Sequence, residues 1–474
     1  MANPVSYTLV DDIGVITIDN PPVNALSHAV RSGLLEAIET AGQDDSRAVV
    51  IHCEGRTFIA GADITEFGKP PADPWLPQVV DAIEACPKVV VAALHGTALG
   101  GGFEVALGSH YRIALESARV GLPEVKLGLL PGAGGTQRTP RLAGVKASLD
   151  LMTSGAPVPA AMALEVGLID RIVGDDLQSA ALDYARELAD AGAECRRTSA
   201  LESPAHDAEL FAAARAELAK RAAGQLAPLK IVDCVEAACQ MPFAEGSAVE
   251  REAFMECMAS PQSAGLRHMF FAERAAGRVD DLPKDTALRD ILKVGVIGAG
   301  TMGSGIAMNF ANAGLEVSLL EVNEDALERG LTAIDRNYAG GVRRGKMTET
   351  QARETRARIT GTTDYASLAD ADLIVEAVFE NLDLKKDIFK TLDGIAKPGA
   401  ILATNTSYQD VNEIGAATGR PEDVIGLHFF SPAHIMKLLE VVRADRTADD
   451  VLATCMKLAK AIRKIPVVSG VCYG

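Results

Sequence analysis

Two glutamates in the first third of the chain have the types and surroundings for acid–base work. Glu104 follows Gly100-Gly101-Gly102-Phe103, and Glu124 stands in Gly121-Leu122-Pro123-Glu124. No Asp, Glu, Lys or Arg precedes Glu104 from Val89 onward, so its carboxyl is expected to be buried with a perturbed proton affinity. Two such carboxylates flanking a pocket can share the addition of water to a double bond. One takes a proton from water and the other delivers one to carbon. A developing enolate needs backbone donors nearby. Loops such as Gly61-Ala62 and Gly100-Gly101 offer exposed N–H groups for that purpose. Spacing alone leaves a second reading open, in which both glutamates are structural and cap loops.

The other half of the chain holds a different signal. Lys293-Val294-Gly295-Val296-Ile297 runs straight into Gly298-Ala299-Gly300-Thr301-Met302-Gly303, and a helix-like run over 304–313 follows. Glu321 ends the next β-rich run, 23 positions after Gly298. A GxGxxG between a strand and a helix, with an acidic residue closing the next strand, is the pattern of a dinucleotide site. Gly298 permits the tight turn, Gly300 lets backbone approach a pyrophosphate, and Gly303 lets helix and strand pack closely. Thr301 and Met302 belong to the same turn. Glu321 can accept from a ribose 2′-hydroxyl and would repel a 2′-phosphate, which favours NAD over NADP.

Further on come Asn405-Thr406-Ser407, Gly426-Leu427-His428-Phe429-Phe430-Ser431-Pro432 and Lys437-Leu438-Leu439-Glu440-Val441. A carboxylate holding an imidazole sets its tautomer and raises its basicity, which suits taking a proton from an alcohol during hydride transfer. A single histidine near a strand end is by itself more often structural. Glu380 and Lys385 also read as the solvated charged start of a helix.

These residues need elements to place them. Runs at 15–18, 48–52 and 89–93 read as buried strands, and 31–43 as a helix with Leu34, Leu35 and Ile38 on one face. Gly-rich turns punctuate this α/β pattern at 59–63, 100–102 and 131–135. From about 196 to 290 strand signals vanish and helical patterns dominate, at 208–223, 247–258 and 263–276. A second α/β unit starts at 291, with strands expected at Lys293–Ile297, 316–321, 372–377, Ile401–Thr404, 424–428 and 438–442. The expected domains are therefore 1–195, a helical end and linker over 196–290, and 291–474, the last a doubly wound parallel sheet.

Composition sets bounds. A chain of 474 residues is too long for one core. With 46 basic against 64 acidic residues the net charge is −18, which argues against nucleic acid or anionic membrane as a partner. The eight cysteines form no CxxC pair and suggest reduced thiols and no metal site. The uncharged run 89–103 is short and broken by glycines, and no membrane span is expected. No basic start followed by an apolar run opens the chain, and it does not end in a peroxisomal tripeptide. A cytoplasmic setting is expected, or a peroxisomal one in a eukaryote. A homo-oligomer is compatible with the sequence.

Both halves resemble known families. Residues 13–173 resemble the crotonase, or enoyl-CoA hydratase/isomerase, superfamily through Ile59-Ala60-Gly61-Ala62-Asp63-Ile64, the run from Gly96 to Glu104, and Gly121-Leu122-Pro123-Glu124 with the continuation 129–138. The resemblance implies a ββα spiral and places the two hydratase glutamates at Glu104 and Glu124. It places the oxyanion amides at Ala62 and Gly101. It also implies that Glu124 can shuttle a proton in Δ3–Δ2 isomerisation. Residues 293–442 resemble the NAD-binding, Rossmann-type domain of the L-3-hydroxyacyl-CoA dehydrogenases. That resemblance implies a His428–Glu440 base pair and Ser407 as partner of the substrate oxygen, with Glu380 and Lys385 on the nicotinamide side. Ser431 stands where single-function members carry Asn. The order of the two units is similar to that of the β-oxidation multifunctional enzymes, most of all the peroxisomal bifunctional type. It implies acyl-CoA thioester substrates, NAD as cofactor, and hydration followed by oxidation. In that family a helical domain follows the NAD-binding domain and helps close the acyl site. An alternative expectation follows: this chain hydrates or isomerises, and its second unit only binds NAD.

Overall fold

The computed structural model describes residues 3–66, 69 and 72–472. The chain forms two compact units, Met1–Phe270 and Phe271–Gly474.

The strands of the first unit are β1 (Val5–Val10), β2 (Ile13–Ile18), β3 (Ala48–Cys53), β4 (Val89–Leu94), β5 (Thr97–Leu99), β6 (Tyr111–Leu115), β7 (Arg119–Gly121), β8 (Val158–Pro159) and β9 (Arg171–Val173). The main sheet runs β1-β2-β3-β4-β6-β9, parallel except for the β1–β2 pair. A small second sheet runs β5-β7-β8. Every residue of β4 is buried, which explains its unbroken apolar run: helices cover both faces of a parallel sheet. The helix expected at 31–43 starts earlier, at His28, because Ser27 caps it by accepting from the Val30 N–H. Its buried stripe, Val30, Leu34, Ile38 and Ala41, faces the core.

The helical stretch is part of this first core. Ile231, Val232, Cys234 and Val235 of helix Ala227–Gln240 lie in the same apolar cluster as the sheet. Helix Phe243–Ala259 contributes Ala253 and Cys257 to it. The segment expected as a helical linker to residue 290 is helical only to Ala276. Residues 277–292 contain no helix. Arg289 anchors their end within the second unit by donating to Asp450 (2.8 Å), Asp423 (2.6 Å) and the Gly399 carbonyl (3.0 Å).

The second unit holds β10 (Lys293–Ile297), β11 (Glu316–Leu320), β12 (Ile359–Thr362), β13 (Leu373–Glu376), β14 (Ile401–Thr404), β15 (Val424–Phe429), β16 (Leu438–Arg443) and β17 (Ile465–Gly470). They form one sheet in the order β12-β11-β10-β13-β14-β15-β16-β17. Pairs from β12 to β15 are parallel, as in a Rossmann-type sheet. The wholly parallel sheet expected from sequence needs one correction. β16 runs antiparallel to β15, and β17 follows the direction of β16. Residues 430–437 are too few for a crossover, which takes a dozen or more, so the chain can only fold straight back. The strand order reverses beside β10, which opens a crevice at its carboxyl end.

Candidate functional site

In the first unit, β4 and β5 deliver the chain to helix Gly101–Gly108, all of whose residues are buried. Glycine makes this approach feasible. A Cβ on Gly102 would lie 2.2 Å from the Ile59 carbonyl oxygen, so only Gly lets the 59–62 loop press against the helix start. The Ala62 nitrogen is 3.7 Å from where a Gly101 side chain would begin. The two amides expected as oxyanion donors are thus brought side by side, with Gly101 opening a helix whose dipole favours negative charge.

Glu104 sits in the first turn of that helix and is 3% exposed. Its Oε1 accepts from the Ala133 N–H (2.7 Å) and the Gly135 N–H (2.9 Å). Burial, then the nearby charge of Glu250, pushes its carboxyl up to about 8 against the two amides and Arg138. Glu124 opens a short 3₁₀ turn, Glu124–Leu127. Its Oε1 lies against Gly100, 2.9 Å from an ideal Cβ there, and its buried Oε2 has no partner among the described residues. Burial and the charge of Glu104 push the Glu124 carboxyl well above the usual range. A carboxylate fed by two N–H donors beside one without a partner is an asymmetric pair. Both carboxyls are raised, and the two amides make Glu104 the easier of the pair to ionise, while Glu124 has no such donor to offset its burial.

A third carboxylate belongs to this cluster, and residue type did not announce it. Glu250, 2% exposed, accepts from the N–H groups of Gly134 (2.7 Å) and Thr136 (2.9 Å) and from the Thr136 hydroxyl. Burial raises its carboxyl too. A signal was available: Gly246, Glu250, Ala253 and Cys257 form the buried stripe of helix Phe243–Ala259, at the spacing of one helix face. An acid on such a stripe is buried by position. Behind the 132–134 loop lies a cavity of about 350 Å³, lined by Glu84, Arg138, Arg197, Ser247, Glu250 and Arg251 among others. Neither Glu104 nor Glu124 lines it.

In the second unit the expected residues gather at the carboxyl ends of the strands. Gly298 turns the chain after β10 with φ +98°, and a Cβ on Gly303 would sit 1.7 Å from the Gly298 carbonyl oxygen. A Cβ on Gly300 meets nothing within 4 Å. The backbone at Gly300 therefore faces open space at the start of helix Thr301–Asn312, where Thr301 and Met302 form the first turn. Glu321 accepts from the N–H of Ala299 (2.8 Å) and of Val322 (2.8 Å), which fixes its carboxylate beside the glycine turn. These features fit a dinucleotide: open backbone and a helix N-terminus for the pyrophosphate, and an aimed carboxylate for a ribose hydroxyl.

His428 and Glu440 face each other across the antiparallel pair β15–β16, and Nδ1 to Oε2 is 2.7 Å. The turn back that makes β16 antiparallel is what brings them together. Asn405 Oδ1 accepts from the Phe429 N–H (2.8 Å) and ties the 405–407 turn to the His428 strand. Glu380 braces the same turn by accepting from Ser407 N–H (2.8 Å) and the Thr406 hydroxyl (2.9 Å). Ser407 itself is exposed.

Lys385 departs from expectation. It was assigned to the cofactor, yet its side chain is wholly buried, and its ammonium donates to Glu376 Oε1 (2.8 Å) and Oε2 (3.0 Å), with Glu380 at 3.7 Å. An ammonium enclosed in this way holds Glu376 and Glu380 in place. Glu376, at the end of β13, also accepts from the Thr404 hydroxyl (2.7 Å) and the Val378 N–H (2.7 Å). It is the buried hub of this network, and a lone acid closing an apolar strand was its only trace in the sequence. Among the described residues no helix is long and apolar enough to cross a membrane, and no group of His, Cys, Asp or Glu is arranged to hold a metal.

Comparison with known proteins places both units. Residues 10–223 match the enoyl-CoA hydratase/isomerase family, and residues 293–472 match the NAD-binding domain of 3-hydroxyacyl-CoA dehydrogenase. The peroxisomal bifunctional enzyme of Cavia porcellus is 42% identical over 478 residues, covering 98% of this chain and 65% of the relative. That of Homo sapiens is 40% identical over 474 residues, with the same coverage of 98% and 65%. The peroxisomal fatty acid beta-oxidation multifunctional protein AIM1 of Arabidopsis thaliana is 37% identical over 494 residues, covering 100% of this chain and 68% of the relative. The chain thus spans about two thirds of the length of these curated relatives. With a crotonase-type unit followed by a Rossmann-type NAD-binding unit, and this identity along its whole length, the chain belongs to the family of fatty-acid β-oxidation multifunctional proteins.

Proposed function

We propose that the chain hydrates trans-2-enoyl-CoA thioesters in its first unit and oxidises the resulting L-3-hydroxyacyl-CoA in its second. The observation that carries the first step is the asymmetric pair of buried carboxyls, Glu104 held by two amides and Glu124 with an unpartnered oxygen. Glu104 takes a proton from water as the water oxygen bonds to C3 and the C2–C3 double bond opens. The negative charge moves to the thioester oxygen, which the amides of Ala62 and Gly101 receive. Glu124 gives its proton to C2. The two carboxyls have then exchanged protonation states and must pass one proton back before the next turnover. In Δ3–Δ2 isomerisation the ionised form of Glu124 takes a proton from C2, the charge moves to the same thioester oxygen, and the proton is returned to C4 as the double bond shifts.

In the second unit His428 takes the proton of the 3-hydroxyl, with Glu440 fixing the imidazole through Nδ1. Ser407 hydrogen-bonds the substrate oxygen, and Glu380 holds the turn that carries it. Gly298, Gly300, Thr301, Met302 and Gly303 would hold NAD, with Glu321 for its ribose, and NAD would supply the hydride acceptor. A second reading has a specific observation behind it. Tyr408, Ile435 and Met436, on the loops that follow Ser407 and His428, are 50%, 64% and 43% exposed, so little here walls in an acyl chain. In that reading the chain hydrates or isomerises and only binds NAD. Crotonyl-CoA hydration and NAD reduction by L-3-hydroxybutyryl-CoA, measured on the same chain, decide the matter. Absence of hydration overturns the proposal, and hydration without NAD reduction establishes the second reading. The free thiols suit a reducing compartment, cytoplasmic or peroxisomal.

A further inference from the structure

Four consecutive backbone amides of the first unit point alternately to two buried carboxylates. Those of Ala133 and Gly135 go to Glu104, and those of Gly134 and Thr136 go to Glu250. We propose that Glu250 is a positioning residue of the hydratase site: by gripping Gly134 and Thr136 from behind, it aims the Ala133 and Gly135 amides at Glu104. This inference rests on the proposed hydration and deepens it.

The argument is geometric. Residues 133–136 form the start of helix Gly135–Ser154, whose first N–H groups have no partner within the helix. An unbraced turn of this kind, rich in glycine, is free to rotate its amides. Here each amide has a carboxylate oxygen within 2.9 Å, on alternate faces, so the turn is clamped between two acids. The clamp is itself secured. The Gln137 side chain donates to the Thr136 hydroxyl (3.0 Å) and to the Cys234 carbonyl (2.9 Å), linking the turn to helix Ala227–Gln240. A Cβ on Gly246, one turn before Glu250, would meet the Gln137 side-chain oxygen at 2.1 Å, so the Glu250 helix packs directly on the turn. Glu250 is 116 residues from Gly134 in sequence and reaches it only through the fold.

Charge gives the clamp a second effect. The groups that bear on Glu250 are Glu104, Glu124, Arg138 and the Cys234 thiol, with Glu84 and Arg251 across the cavity it lines. A negative Glu250 makes Glu104 harder to ionise, and so sets where Glu104 becomes a base. A purely structural brace would lack this effect.

The test uses the full chain with crotonyl-CoA. In Glu250→Gln the shape is kept, one amide loses its acceptor and the charge is gone. We expect kcat to fall roughly tenfold with KM nearly unchanged, and the acid limb of the kcat/KM–pH profile to move down by about half a unit or more. Glu250→Asp keeps the charge, and its acid limb should stay in place while kcat recovers in part. An unmoved acid limb in Glu250→Gln, whatever its kcat, overturns the proposal. Infrared titration of the carboxyl band that Glu104→Gln removes provides a readout independent of turnover. Its midpoint should fall in Glu250→Gln even if the chain proves to have no hydratase activity, and an unchanged midpoint refutes the inference. If Glu250→Gln does not fold, Thr136→Val removes one donor to Glu250 and should shift both readouts the same way by less; no shift there is equally fatal.

Discussion

The two candidate sites place charge in opposite ways. The first unit gathers three acids, Glu104, Glu124 and Glu250, without a full complement of cations, and all three carboxyls rise above their usual range. The second unit gives its fully buried acid, Glu376, the Lys385 ammonium at 2.8 Å. Its proton-handling pair, His428 and Glu440, stands on the neighbouring strands β15 and β16 and stays partly open, with side chains 14% and 37% exposed. Desolvation keeps a proton on Glu124, the carboxyl that must deliver one. Direct pairing fixes the direction of an imidazole that takes one. The first strategy needs a sealed interior, and the second needs only the right register between two strands.

The largest expected effects separate the two strategies. Glu104→Gln or Glu124→Gln should each lower hydration by roughly 10²–10⁴-fold, the span of a positioned acid or base. Binding of NAD, followed by fluorescence, should be unchanged in both. His428→Gln should lower NAD reduction by a similar factor, where wild type shows it, and leave crotonyl-CoA hydration alone. Hydration that survives in both glutamate variants would dissolve the carboxylate mechanism and with it the comparison.

Next in size is a stability effect confined to the second unit. Lys385→Met leaves Glu376 buried without its cation. Removing one partner of a buried pair costs about 3–5 kcal/mol. Calorimetry should show a lowered transition for the second unit only, with hydration retained. An unchanged transition would mean that Glu376 carries no charge in the fold.

The converse applies to the first unit, and its sign can be worked out. The Glu104 carboxyl rises from an ordinary 4.5 to about 8, so the fold prefers it protonated. That preference is fully present below pH 4.5 and is lost as pH rises through 8. Glu104→Gln is neutral throughout. It should gain stability relative to wild type across this window, by roughly 2 kcal/mol at the upper end once charge sharing with Glu124 and Glu250 is allowed for. The difference in melting temperature between variant and wild type should therefore grow from pH 5 to pH 8. A constant difference would show that Glu104 is ionised in the fold at all these values.

Legibility followed the same division. Strands β3, β4, β10 and β14 were readable because a parallel sheet covered on both faces writes itself as an unbroken apolar run. Glu104 stood out against such a run, and the glycine turn after β10 carried its own spacing. Glu250 did not stand out, because its helix reads as one more amphipathic, charged helix and its target lies 116 residues away. The pairing of Lys385 was hidden for a related reason. A lysine in the first turn of a helix reads as solvated, and only the fold reveals the buried Glu376 beneath it. Long-range pairing of charges leaves little trace in a one-dimensional pattern.

The smallest expected effect concerns Glu321, and it sharpens the contrast most finely. Its two oxygens accept from the N–H groups of Ala299 and Val322, so the carboxylate is aimed and at the edge of the crevice. It is neither buried like Glu104 nor paired with a cation like Glu376. Its effect should then be local to the nucleotide. Replacing it in Glu321→Ala removes an acceptor for a ribose hydroxyl, and hydrogen bonds to charged groups contribute about 1.5–3 kcal/mol. NAD should bind roughly ten- to a hundredfold more weakly. NADP should bind better than before, because the repulsion of its 2′-phosphate is gone, and the preference between the two should narrow or invert. Neither hydration nor the pH dependence of the first unit should change. Titration of both nucleotides into wild type and Glu321→Ala reads this directly. Equal weakening of both nucleotides would mean that Glu321 supports the glycine turn through Ala299 and does not read the ribose, which would make it a structural acid like Glu376.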